Sequence, residues 1–161
     1  MAKRLLDIST PEAMEELGAN LAQVCPKRSI VHLCGELGVG KTTLVRGFLH
    51  ALGHNGMVKS PTYTIVEPYQ LNGRMVYHFD FYRLGDPEEL EYLGIRDYLE
   101  DNAVCLIEWP EQGGQFTPAA DIKVTISYHN EARILSLQAY NPIGEENIAK
   151  CSKNQIHSRK Y

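Results

Sequence analysis

Gly35-Glu36-Leu37-Gly38-Val39-Gly40-Lys41-Thr42 satisfies G-x-x-x-x-G-K-[ST] at every fixed position. No other stretch restricts the fold of this chain as much. Glycines let a backbone curl so that its N–H groups converge on one phosphate. The pattern also asks for a strand before it and a helix after it, with the positive helix end facing the same phosphate. Both are legible. Ser29-Ile30-Val31-His32-Leu33-Cys34 is a short, mostly apolar run suited to a strand buried on both faces. A helical pattern follows through Phe48 and Leu52 and stops near Gly53. In that setting Lys41 is expected to reach the β- and γ-phosphates, and Thr42 to offer its hydroxyl to Mg²⁺. A tight turn without a ligand would not need Lys and Thr at those two positions.

The remaining pattern predicts an α/β domain. Residues 5–8 read as a first strand. Ser9-Thr10-Pro11-Glu12 then opens a helix with a hydroxyl cap, Pro in the first turn and an acid at the positive end. Met14, Leu17, Leu21 and Val24 continue it at helical spacing, and Pro26 stops it. Residues 64–69 and 75–81 flank Asn72-Gly73, a strong hairpin signal. Asp86-Pro87-Glu88-Glu89 starts a helix that Gly94 closes, and a shorter helix covers residues 95–99. Residues 103–107 are a fully apolar strand. Residues 121–128 and 133–140 alternate and form a second hairpin. The expected fold is a three-layer P-loop NTPase domain with parallel inner strands and antiparallel hairpin additions. It spans residues 1–141 and leaves 142–161 as a basic C-terminal tail.

A phosphate loop needs an acidic partner for its metal, and apolar strands ending in a carboxylate deliver one beside the loop. Ala103-Val104-Cys105-Leu106-Ile107 runs into Glu108, and Val76-Tyr77-His78-Phe79 runs into Asp80. The more hydrophobic strand marks Glu108 as the metal ligand. Asp80 is then the candidate for positioning or activating the attacking water. Ser60-Pro61-Thr62-Tyr63-Thr64 reads either as a switch that senses the γ-phosphate or as an ordinary turn. Arg83 either stabilises transition-state charge or pairs with the acidic run around it. Trp109, the only tryptophan, either reports on the site, packs at a strand end or anchors a partner.

Composition narrows the class. The chain has 161 residues and a net charge of −4, weak grounds for gripping nucleic acid by phosphate contacts alone. Residues 80–101 carry eight acids against two bases, while 149–161 carry four bases and no acid. Four cysteines without a CxxC pair read as reduced, cytoplasmic usage, and no histidine cluster suggests a protein zinc site. No run approaches a membrane span, and Pro11 and Glu12 interrupt the start before a secretory signal develops. The N-K-x-D and D-x-x-G strings of small GTPases are missing, and so is an Arg-rich lid of the kind small-molecule kinases carry. An ATPase that drives a partner fits best. A small-molecule kinase and a non-enzymatic nucleotide-dependent switch share the P-loop and stay open.

GELGVGKTT, KSPTYT, YHFDFYRL with DPEELEYLGI, and LIEWPEQG, in that order, resemble the TsaE (YjeE) family over roughly residues 5–140. The resemblance implies a bacterial ATPase that is required for the threonylcarbamoyl modification of the adenosine next to the tRNA anticodon. It implies slow, Mg²⁺-dependent ATP hydrolysis (ADP remaining after turnover), with TsaD and TsaB as partners. TsaD and TsaB perform the transfer, and ATP turnover resets their complex. tRNA is then met through the complex, with the basic tail the one direct contact expected. By the same resemblance Gly35, Gly38, Val39, Gly40, Lys41, Thr42 and Thr43 belong to the phosphate loop, and Thr42 and Glu108 to the metal site. Thr62, Tyr63 and Thr64 match the switch-like loop, and Asp80 matches the essential acid. Thr10 and Arg133 fall where the family holds the base.

Overall fold

The computed structural model describes residues 3–153. Seven strands form one sheet. They are β1 (Lys3–Ile8), β2 (Ser29–Cys34), β3 (Val66–Leu71), β4 (Arg74–Asp80), β5 (Ala103–Glu108), β6 (Ile122–His129) and β7 (Ala132–Ala139), in the order β1-β7-β6-β2-β5-β4-β3. The inner four, β6, β2, β5 and β4, are mutually parallel. β3 joins β4, β7 joins β6, and β1 joins β7, all antiparallel. Helices α1 (Pro11–Val24), α2 (Lys41–Ala51) and α5 (Pro142–Lys153) share a large apolar core with one face of the sheet. A smaller core on the other face lies under α3 (Glu89–Leu93), α4 (Ile95–Glu100) and a 3₁₀ segment (Pro110–Phe116). The three-layer architecture with parallel inner strands and hairpin additions is the one expected.

Local signals behave as their chemistry dictates. Thr10 caps α1, its Oγ1 accepting from the Ala13 N–H at 3.1 Å. At the other end of α1, the Arg74 guanidinium donates to the carbonyls of Ala22, Cys25 and Pro26 and satisfies the orphan acceptors there. α1 and α2 cross at Gly18 and Gly47. A Cβ on either would fall within 2.0 Å of a backbone oxygen of the facing helix, so only glycine permits this approach. Asn72 and Gly73 both take positive φ, as a tight two-residue hairpin requires.

Two expectations give way. β2 is fully buried on its α1/α2 side, but Ile30, His32 and Cys34 on the other side are only half-buried. The second helical layer lies over β4 and β5 and reaches β2 only in part, where Ile30 packs against the smaller core. The tail expected from Asn141 is instead helix α5 over residues 142–153. Asn141 caps it, its Oδ1 accepting from the Gly144 N–H at 2.9 Å, and Pro142 occupies the first turn. Gly144 seats the helix start against the Asp121 carbonyl, and Ile148 and Cys151 enter the main core. Polar residues between these anchors mask a period that buries only one narrow stripe. Lys150 pairs with Glu146 at 3.1 Å, so part of the basic charge is spent within the helix. Residues 154–161, with Arg159 and Lys160, lie outside the described residues.

Cys25, Cys105 and Cys151 are buried, and burial pushes their thiols up to about 12, 12 and 11, which makes them inert packing groups. Among the described residues no helix is long and apolar enough to cross a membrane. If α5 is part of the core, Ile148→Ala costs about 2–4 kcal/mol in urea denaturation. A frayed tail would give no change.

Candidate functional site

Strand register builds the site. Leu33 on β2 pairs with Glu108 on β5, and Glu108 pairs with Asp80 on β4. Both carboxylates therefore stand side by side at the end of the sheet from which the phosphate loop departs. Side chains of paired residues share a face, here the face that α2 covers. The loop curls through Gly38 (φ 77°) and Gly40 (φ 124°), conformations that favour glycine, and α2 begins at Lys41.

A cavity of about 330 Å³ opens there, walled by the loop, Lys41, Thr42 and Thr43 on one side. Ser60, Thr62, Asp80, Arg83, Glu108 and Trp109 wall the other. Lys41 is 4% exposed. Its ammonium donates to the carbonyls of Gly35 and Glu36 and lies 4.0 Å from the centre of the Trp109 ring. Burial holds its pKa below the usual lysine value. Thr42 Oγ1 sits 3.5 Å from Glu108 Oε2 and donates to it. Asp80 is 8% exposed, and its Oδ1 accepts from the Tyr82 N–H at 2.9 Å. Burial raises its pKa above the ordinary carboxylate range. The Tyr82 N–H opposes that rise, and neighbouring Glu108 adds to it. Thr42, Asp80 and Glu108 offer only oxygen, the donor set a hard cation such as Mg²⁺ takes. Among the described residues, no group of three or more His, Cys, Asp or Glu could hold a metal ion.

A second cavity of about 220 Å³ lies behind the same loop, against Thr10, Pro11, Met14 and Arg133. Gly38, Val39, Gly40 and Thr43 line it as well, so the loop is the wall between the two spaces. Ile8 pairs with Arg133 across β1 and β7, which brings Thr10 and Arg133 to one place. Arg133 donates to the Val39 carbonyl at 3.1 Å and stacks on Tyr128 at 4.3 Å. Tyr128 in turn donates to the Leu37 carbonyl at 3.3 Å. The second hairpin thus braces the phosphate loop.

Not every candidate faces a cavity. Gly35 supplies a carbonyl to Lys41 and packs against Ile126 instead. In the loop after α2, Thr62 lines the larger cavity and bonds Ser60 at 2.6 Å, while Thr64 turns away to Glu67 at 3.1 Å. Tyr63 is largely exposed and lies over the Arg83 guanidinium at 4.6 Å. Among the described residues no ion pair joins Arg83 to the acidic run. Two residues hold left-handed backbone beside the acids. Trp109 (φ 56°) follows Glu108, and Ile65 (φ 69°) accepts the Asp80 N–H on its carbonyl. A β-branched residue at such an angle is strained.

Sequence reasoning passed over His78. It lies two residues before Asp80 on β4, hence on the same face, and is fully buried with Nε2 2.6 Å from Glu108 Oε2. Its two-residue spacing from Asp80 was the available signal.

The family model described as Threonylcarbamoyl adenosine biosynthesis protein TsaE matches residues 8–135. The chain belongs to the TsaE family. A Haemophilus influenzae relative, named tRNA threonylcarbamoyladenosine biosynthesis protein TsaE, is 54% identical over 126 residues, 78% of this chain and 80% of that one. A Bacillus subtilis relative of the same name is 34% identical over 116 residues, 72% of each. The crystal structure of Bacillus subtilis YdiB superposes with a TM-score of 0.80 at 25% identity, covering 94% of this chain and 95% of that one. Of the TsaE motifs quoted from the sequence, GELGVGKTT, KSPTYT, YHFDFYRL and LIEWPEQG supply residues to the larger cavity, while DPEELEYLGI forms α3 away from it.

The raised Asp80 pKa has a sign. A carboxyl held above its unfolded value makes the fold less stable as pH rises from the ordinary carboxylate range through the raised value. Asp80→Asn removes that cost and keeps an acceptor for Tyr82. The nucleotide-free variant is expected to melt above the wild type at pH 7, with the gap closing as pH falls below the carboxylate range. Thermal melts at several pH values check this.

Proposed function

We propose that this chain is the ATP-hydrolysing component of the machinery that makes threonylcarbamoyladenosine in tRNA, working with TsaD and TsaB in the cytoplasm. Lys41, Thr42, Asp80 and Glu108 around one cavity at the mouth of a phosphate loop carry the reading. The names of the relatives support the pathway.

In this reading the triphosphate lies along the loop, with its base in the smaller cavity near Thr10 and Arg133. Backbone N–H groups and Lys41 bind the phosphate oxygens and stabilise the charge that builds on them. Thr42 and Glu108 hold Mg²⁺, which neutralises phosphate charge when bound. Asp80 orients a water against the γ-phosphorus and takes its proton as the new P–O bond forms and the bond to ADP breaks. A carboxylate whose pKa is raised is the better proton acceptor. Thr62 and its loop respond to the γ-phosphate. Arg83, which walls the cavity and stacks on exposed Tyr63, is the residue a partner would turn toward the γ-phosphate. Slow turnover alone follows from an arginine and a loop that await that partner.

Asp80→Asn is expected to slow ATP turnover by about 10²-fold or more while ADP still binds. A variant that kept full cellular function without hydrolysis would instead mark a nucleotide-dependent switch. Product analysis separates hydrolysis from phosphoryl transfer to a metabolite, because only the former releases free phosphate. In cells depleted of the protein, tRNA should lose threonylcarbamoyladenosine. Undiminished nucleoside would contradict the pathway assignment.

A further inference from the structure

His78 is a buried polar side chain on the Asp80 face of β4, and the proposed chemistry leaves it without a job. It is 0% exposed. Nε2 donates to Glu108 Oε2 at 2.6 Å, and Nδ1 is buried without a partner. An N–H at Nδ1 would be a buried donor without an acceptor, so the surroundings suit the tautomer with hydrogen on Nε2. Burying an imidazole this way costs more than burying an aliphatic side chain of similar size. Val76 on the same face of β4 and Leu106 opposite His78 on β5 are buried and apolar, so its surroundings are otherwise hydrophobic.

The bond to Glu108 is what that cost secures. Glu108 lines the cavity and takes a second donor, Thr42 Oγ1, on the same oxygen at 3.5 Å. Both bonds use Oε2, so among the described residues Oε1 takes no hydrogen bond. A free glutamate has several rotamers, and a metal site works only when its ligands are held in one arrangement. His78 reaches Glu108 from beneath, across the β4–β5 pair, where no solvent competes.

We propose that His78 is a positioning residue for Mg²⁺: its Nε2–H fixes the Glu108 carboxylate beside Thr42, so that the metal meets a preset oxygen. The proposal rests on the reading of Glu108 as the metal's acidic partner. It predicts that removing the donor weakens Mg²⁺ binding while leaving the metal-free nucleotide site intact.

The test is ADP binding by isothermal titration calorimetry, in EDTA and across a series of Mg²⁺ concentrations. His78→Met should leave the EDTA affinity unchanged and raise the Mg²⁺ midpoint by about 10- to 100-fold. His78→Gln places an amide N–H near the position of Nε2 and should restore the midpoint to within about threefold of the wild type. If His78→Met does not fold, His78→Asn replaces it, because its shorter amide stops short of the carboxylate. A Met or Asn variant within about twofold of the wild-type midpoint overturns the proposal. So does a Gln variant as impaired as Met, or failure of all three to fold, which would make His78 purely structural. A wild type whose ADP affinity ignores Mg²⁺ would instead overturn the metal reading of Glu108, and that is visible before any variant is made.

Discussion

Everything at the site depends on the register of three adjacent parallel strands. Leu33, Glu108 and Asp80 stand in one row across β2, β5 and β4. The loop leaves just beyond the first of these strands, and the acids end the other two. A slip of one residue would turn either carboxylate to the opposite face of the sheet. Two apolar cores hold the register, one per face. Leu106 and Val104 point into the larger, and Ile107 and Cys105 into the smaller. β5 is buried at all six positions, so the strand that carries Glu108 has no soft side on which to shift.

The same burial sets the electrostatics. Asp80 and Glu108 sit against each other at the rim of a core, with Lys41 the nearby cation. Burial disfavours charge on both Asp80 and Lys41, so the ligand-free protein holds a tension that a polyanion and its cation would relieve. Left-handed Trp109 and Ile65 sit beside these groups. Tryptophan at that angle places its ring over Lys41 and against Tyr82 at once. The next residue into the switch-like loop, Thr64, has turned away from the cavity.

Much of this was legible in the chain itself. The cap at Thr10, the Asn72-Gly73 turn and the apolar runs into Asp80 and Glu108 marked the elements, because each signal is local and strong; Asp86 instead makes a turn to the Glu88 N–H, and α3 starts only at Glu89. Asn141-Pro142 uses the same start signal as Thr10-Pro11, yet α5 was hidden because its apolar anchors in the core, Ile148 and Cys151, stand among polar residues. His78 was hidden for a different reason. A histidine in an apolar strand is ambiguous until the neighbouring strand shows which carboxylate it faces. The brace from Tyr128 and Arg133 to the phosphate loop was equally nonlocal, joining residues some ninety positions apart.

Lys41 ties the parts together, since it touches the loop carbonyls, the Trp109 ring and the cavity at the same time. In the proposed reading, phosphate in the loop would draw the ammonium away from the indole, and Trp109 is the only tryptophan in the chain. The most direct measurement is therefore intrinsic fluorescence during an ADP titration, with binding followed in parallel by calorimetry. The account predicts a saturable change in Trp109 emission at the calorimetric midpoint, and loss of both signals in Lys41→Ala. ADP bound tightly with silent emission, or bound equally well by Lys41→Ala, would contradict it.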